Sequence, residues 1–110
     1  MASNGSLMTV PDFRNRIRAL QARGGRLIVI DPRRTETAKI ADEHHFIRPG
    51  TDALLLFALL QVLFSERQAD AGRHAGYTVG LDLLHDAISA FTPENVAAAT
   101  GIDAATIRRL

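Results

Sequence analysis

RLIVIDPRRTETAKIADEHHFIRPGTD, residues 26–52, is the stretch from which the fold can be read. Leu27-Ile28-Val29-Ile30 is an uninterrupted apolar run rich in β-branched side chains. Such a run suits a strand covered on both faces, as in parallel sheets. Asp31-Pro32-Arg33-Arg34-Thr35 follows as a polar turn, and Thr35 is placed to cap a short helix over Glu36–Ala41. His45-Phe46-Ile47-Arg48 reads as a second strand, and Pro49-Gly50-Thr51-Asp52 as a second polar turn. A strand, a crossover helix and a strand imply parallel pairing. The expected class is therefore α/β. A partial Rossmann-like parallel sheet, with strands at about 27–30 and 45–48, should carry helices and lead into a helical C-terminal stretch.

Parallel strands bring their carboxyl ends together, so both turns are expected at one edge of the sheet. That edge is where open α/β sheets take ligands. Asp31 and Asp52 offer acceptors there, and Arg33 and Arg34 offer phosphate partners. Helix starts after Thr35 and near Asp52 offer backbone N–H groups suited to an anion. These groups can hold a nucleotide, and no catalytic machinery accompanies them.

Outward from this stretch the pattern turns helical. Pro11 suits the first position of a helix, with Asp12 favourable at its positive end. Phe13, Ile17 and Leu20 recur at helical spacing while Arg14, Arg16 and Arg18 lie mostly off that stripe. Gly24-Gly25 stops the helix. Residues 1–9 and 68–79 read as loops. Helix 53–67 is apolar nearly all round, through Leu54, Leu55, Leu56, Phe57, Leu59, Leu60, Val62, Leu63 and Phe64. Helices without a polar face are normally buried on several sides, and a chain of 110 residues can hardly cover this one. A large apolar strip should stay open. A helix over Leu81–Phe91 follows. Thr92-Pro93-Glu94 then combines a cap, a proline at the first position and an acid. Gly101 ends that helix, and Asp103 caps the last one, Ala104–Leu110.

Size and composition narrow the classes. The chain allows one small domain. Hydrophobic residues make up 46% and charged residues 23%, a globular composition. A net charge of +1 is too small to argue for nucleic acid or membrane. There is no cysteine, so disulfides, thiolate metal sites, iron–sulfur ligation and cysteine nucleophiles are excluded within the chain. The absence fits a reducing compartment. MASNGSLMTVPDF lacks the basic and apolar regions of a secretory leader. The longest apolar run, 53–60, is too short to cross a bilayer.

Each candidate residue also has a plainer reading. Asp31 can cap its own turn, Arg33 and Arg34 can be a solvated pair, and Asp52 can serve only as an N-cap. Arg48 reads as a surface salt-bridge partner. His44 and His45 are strand neighbours that point to opposite faces, so they do not share a metal easily. His74 and His85 stand alone. The arginines at 14, 16, 18 and 23 form a basic face without the interleaved aromatics of a nucleic-acid surface. Lys39 has no glycine-rich loop before it, and Gly24-Gly25 precedes the strand, on the wrong side for a dinucleotide fingerprint.

LIVIDPRRTETAKIADEHHFIRPGTDALLLFALLQVLF, residues 27–64, resembles the molybdopterin oxidoreductase family. That family holds formate dehydrogenases, periplasmic nitrate reductases and dimethyl sulfoxide reductase. The strand–DPRRT and PGTD pair is the specific part of the likeness. ASNGSLMT with the arginine-rich helix resembles the segment after an upstream Gly-x-Asn-Pro turn, and FTPENVAAATGIDAATIRRL resembles a downstream helical stretch. The likeness covers almost the whole chain.

The resemblance implies a bis(molybdopterin guanine dinucleotide) cofactor held between Rossmann-like domains of a larger enzyme. Residues 1–110 would then be an internal fragment of one such domain, inactive alone. The implied cofactor-binding residues are Asp31, Pro32, Arg33, Arg34, Thr35, Gly50, Thr51 and Asp52. Asp31 would meet ribose or guanine, Arg33 to Thr35 phosphate and sugar, and Asp52 the guanine edge. The family's iron–sulfur cysteine motif, its molybdenum ligand and the Gly-x-Asn-Pro turn are not in this sequence. The implied partners are the remainder of the parent enzyme and the molybdenum cofactor, without nucleic acid or membrane insertion. The cytoplasm is favoured over the periplasm. The alternative is a stand-alone nucleotide-binding or regulatory module without redox activity.

Overall fold

A computed structural model describes residues 6–110. Two units follow one another along the chain, Met1–Ile47 and Arg48–Leu110.

The first unit is built around a two-stranded parallel sheet. β1 (Ile28–Ile30) pairs with β2 (Glu43–His45) in the register Ile28↔Glu43, Val29↔His44, Ile30↔His45. The second strand thus lies earlier than the His45–Arg48 reading, sharing only His45 with it. The reason is the ladder's end. The Asp31 N–H makes the last rung, to the His45 carbonyl at 3.2 Å. Pro32 then has no N–H to offer, and the chain turns, so Phe46–Arg48 have no strand to pair with.

Helices close over the sheet. α1 (Ser6–Thr9) falls where a loop was expected. Its Leu7 N–H donates to the Thr37 hydroxyl at 3.0 Å, a tertiary anchor to a side chain only 1% exposed. Residues 1–5 of that expected loop lie outside the described residues. α2 (Phe13–Ala22) starts after Asp12, which takes a left-handed φ of 54° and so cannot be the helical residue that Pro11 suggested. Its far end follows the expectation closely. Gly24, at φ 81°, donates to the Gln21 carbonyl and Gly25 to the Leu20 carbonyl, both at 2.9 Å. That pair of hydrogen bonds closes a helix with a left-handed residue. A Cβ on Gly25 would stand 2.6 Å from Leu20 Cγ, so glycine is required there too. Ile17, Leu27, Val29 and Ala38 form the buried core, with Phe13, Leu20, Ile40 and Ala41 packed against it. α3 (Glu36–Lys39) is the crossover helix.

The second unit is helical. α4 (Asp52–Ser65) packs against α5 (Leu81–Ile88), α6 (Pro93–Thr100) and α7 (Ala104–Arg109). α4 buries Leu55, Ala58 and Val62, one face at helical spacing. Ile88, Val96, Ile102 and Ile107 are buried as well. As the all-round apolar pattern implies, α4 stays partly uncovered: Leu56 is 55%, Leu63 40% and Phe57 38% exposed. The expected caps form. The Thr92 hydroxyl accepts from Asn95 N–H at 3.3 Å, and the Asp103 carboxylate accepts from Thr106 N–H at 2.9 Å. Gly101 ends α6 at φ 80°. α5 stops at Ile88, short of the Phe91 expected, because Asn95 Nδ2 takes the Ala90 carbonyl at 2.8 Å and turns the chain into α6. The 68–79 loop contains a 3-10 turn, Gly72–Tyr77. Among the described residues no helix is long and apolar enough to cross a membrane.

Candidate functional site

Asp31 stands where β1 ends. Its carboxylate is nearly buried, the residue being 5% exposed, and Oδ1 accepts the Arg33 N–H at 2.8 Å. This is an Asx turn: the side chain replaces a backbone acceptor and sets the path of the next two residues. Pro32, Arg33 and Arg34 are exposed. Neither guanidinium has a hydrogen bond or ion pair among the described residues, so both stand open to an external anion. Thr35 caps α3, its hydroxyl accepting from Ala38 N–H at 3.2 Å. The plainer reading of Asp31 as a turn cap is therefore realised, and it also fixes the carboxylate at the strand's end.

β2 braces this loop. His44 Nε2 lies 3.1 Å from the Asp31 carbonyl oxygen, and its ring sits 4.3 Å from that of Phe46. His45 turns instead to Glu43, Nε2 to Oε2 at 3.0 Å, and Glu43 also pairs with Arg26. Nothing in the sequence singles out His44 for this role. It follows from the strand register, which puts His44 beside β1's last residues. Among the described residues no three His, Cys, Asp or Glu side chains gather as a metal ligand set.

At the start of β1, Asp42 accepts from the Leu27 N–H at 2.7 Å and from the Gln21 amide at 3.1 Å. The Leu27 bond first, and the Gln21 bond next, hold its carboxyl below the usual carboxylate range.

The second turn belongs to the second unit. Gly50 takes φ 81°, a left-handed conformation that favours glycine. Thr51 holds the N-cap position of α4 but makes no side-chain cap. Its hydroxyl donates back to the Arg48 carbonyl at 2.7 Å. Asp52 is exposed and is the first residue of α4, within the helix rather than capping it. Its carboxylate has no hydrogen bond or ion pair among the described residues. Arg48 departs from its expected surface salt bridge. Its Nη1 donates to the Ala98 carbonyl at 2.9 Å, near the C-terminus of α6, where a cation is favourable.

Comparison with known proteins gives consistent relatives. Acetylene hydratase of Syntrophotalea acetylenica is 37% identical over 95 residues, 86% of this chain. The chain belongs to the molybdopterin oxidoreductase family. Formate dehydrogenase H of Escherichia coli is 34% identical over 99 residues, and the thiosulfate reductase molybdopterin-containing subunit of Salmonella typhimurium is 37% identical over 90 residues. These cover 90% and 82% of this chain. The chain spans 13%, 14% and 12% of the length of these three relatives. The solved acetylene hydratase of Pelobacter acetylenicus superposes with a TM-score of 0.78 at 36% identity, over 88% of this chain and 13% of that one. No family model matches. The family expected from the sequence is thereby shown.

Proposed function

We propose that this chain contributes part of a guanine-dinucleotide half-site for the molybdenum cofactor of a molybdopterin-dependent oxidoreductase. The observation that carries the reading is the Asp31 loop: a nearly buried carboxylate at a strand's carboxyl end, beside two exposed arginines, in a chain homologous to molybdopterin enzymes. Strand-end acids suit ribose hydroxyls, and arginine suits phosphate through its planar fork of donors. The donor set fits a nucleotide end better than a metal or a catalytic centre.

Charge supports the same reading. Within residues 1–47, eight Arg and Lys stand against five Asp and Glu, a net +3; within 48–110, five stand against seven, a net −2. The unit with the Asp31 loop is thus the one suited to a pyrophosphate. In the second unit, the exposed carboxylate of Asp52 has the acceptor pair that guanine's N1–H and exocyclic amine require. Pro32 and Gly50 shape their turns, and Thr35 and Thr51 supply hydroxyls and backbone N–H groups. When bound, the cofactor supplies two-electron chemistry at molybdenum. These residues bind and orient its nucleotide end and move no proton.

Residues 1–110 make up a portion of one such cofactor-binding domain in this reading, working with the rest of a cytoplasmic enzyme. Guanosine diphosphate is the probe that tests it. In a backbone-resolved NMR titration, it should shift the amides of Asp31–Thr35 and of Gly50–Asp52, with adenosine diphosphate much weaker at Asp52. Equal response to both nucleotides would favour a general nucleotide-binding module, and no response at either loop would end the proposal.

A further inference from the structure

We propose that Arg48 is a positioning residue that holds the Pro49-Gly50-Thr51-Asp52 turn in its ligand-binding form by tying it to the C-terminal end of α6. This rests on the functional reading above. Three groups of Arg48 act together. Its N–H donates to the Thr100 carbonyl at 2.8 Å. Its guanidinium Nη1 donates to the Ala98 carbonyl at 2.9 Å. Its own carbonyl accepts from the Thr51 hydroxyl at 2.7 Å and the Thr51 N–H at 3.3 Å. One residue is thus bonded to α6 on one side and to the turn on the other.

The anchor is firm. Thr100 is wholly buried, and its hydroxyl is bonded to the Val96 carbonyl at 3.0 Å. The last carbonyls of a helix lack intrahelical partners, and they carry the negative end of the dipole. A guanidinium on Ala98 satisfies one of them with a charge-assisted bond. Gly101, left-handed at φ 80°, lies beside the arginine stem, where even a Cβ would be in ordinary van der Waals contact with Arg48 Cγ at 3.5 Å. The turn itself has little else to define it. Pro49 and Gly50 are exposed, and Gly50 is left-handed, a conformation open to glycine in many alternatives. Asp52 follows directly, so the angle at which its carboxylate is presented depends on how this turn is held.

The test compares the full chain with Arg48→Ala and Arg48→Lys, using two readouts. Amide exchange at Thr51 and Asp52 should quicken roughly fivefold in Arg48→Ala, the equivalent of one lost hydrogen bond, while the slow amides of α4 and α7 keep their rates. Guanosine diphosphate affinity should fall by a similar factor, and Arg48→Lys, which keeps the charge without the fork, should recover part of both. Unchanged exchange at Thr51 overturns the brace. Faster exchange throughout the unit also overturns it, since it shows general destabilisation. Faster local exchange with unchanged nucleotide affinity overturns the link to binding. If the wild-type chain does not bind the nucleotide, the functional reading falls, and the exchange measurement alone then decides the brace.

Discussion

His44 Nε2 reaches the backbone carbonyl oxygen of Asp31 at 3.1 Å, so the middle residue of one strand holds the first turn residue after the other. A carbonyl can only accept, so Nε2 is the donor in this bond. His44→Phe keeps a ring beside Phe46 but loses the donor. It should lower stability by about 1 kcal/mol, the net worth of an ordinary hydrogen bond. Exchange of the Arg33 amide should quicken more than that of Val29. An unchanged Arg33 rate in a stable variant would show that the bond does not set the loop.

Asp31 has a structural task and a proposed binding task, and two variants separate them. Asp31→Asn keeps an oxygen for the Arg33 N–H, so the melt should fall less than in Asp31→Ala. Asp31→Ala leaves that N–H without its partner and should cost about 1–3 kcal/mol. Both should weaken guanosine diphosphate. Thermal melts beside nucleotide titrations check this, and an Asp31→Asn chain with full affinity would remove the carboxylate from the proposed site.

Acid should destabilise the protein through Asp42 and Asp103. The Leu27 N–H and then the Gln21 amide depress Asp42, while the Thr106 hydroxyl and then the Thr106 N–H depress Asp103. Both folded values lie below the unfolded one of about 3.9. The stabilisation is therefore complete above that value and is lost as pH falls through the folded pKa. Denaturant midpoints measured from pH 6 down to pH 2 should drop over the acid end of that range. The drop should be shallower in the Asp42→Asn, Asp103→Asn double variant. An equally steep loss in that variant would assign acid sensitivity to other groups.

The open strip on α4 should cause self-association. Leu56 and Leu63 are seven residues apart on one side of the helix and about half exposed. Large side chains left in water forgo roughly 1.5–3 kcal/mol of burial each. Leu56→Gln with Leu63→Gln should move sedimentation toward monomer with no loss in the melt. Leu55→Ala, on the buried face, should instead cost about 2–5 kcal/mol. A wild-type chain that sediments as monomer and binds no apolar dye would contradict the expectation.

Much of the local structure was legible because it depends on neighbours in sequence. Thr35, Thr92 and Asp103 cap as their positions imply, and Gly24 and Gly101 end helices where a left-handed residue is needed. The two-turn pattern also carried the family likeness. The bounds of β2 were not legible: EHH has no alternating apolar signal, and its pairing depends on where β1 stops. α1 was missed for a similar reason, since its anchor, Thr37, lies 30 residues away.

The sequence by itself determined the α/β class, the parallel pair, the caps and the polar character of both turns, because periodicity, proline, glycine and capping side chains act over a few residues. Only the tertiary structure decided which strand residues pair, that His44 braces Asp31 and that Arg48 bonds α6 rather than a carboxylate. Those relationships depend on register and on free carbonyls at a distant helix end, and neither is encoded in the local order of residues.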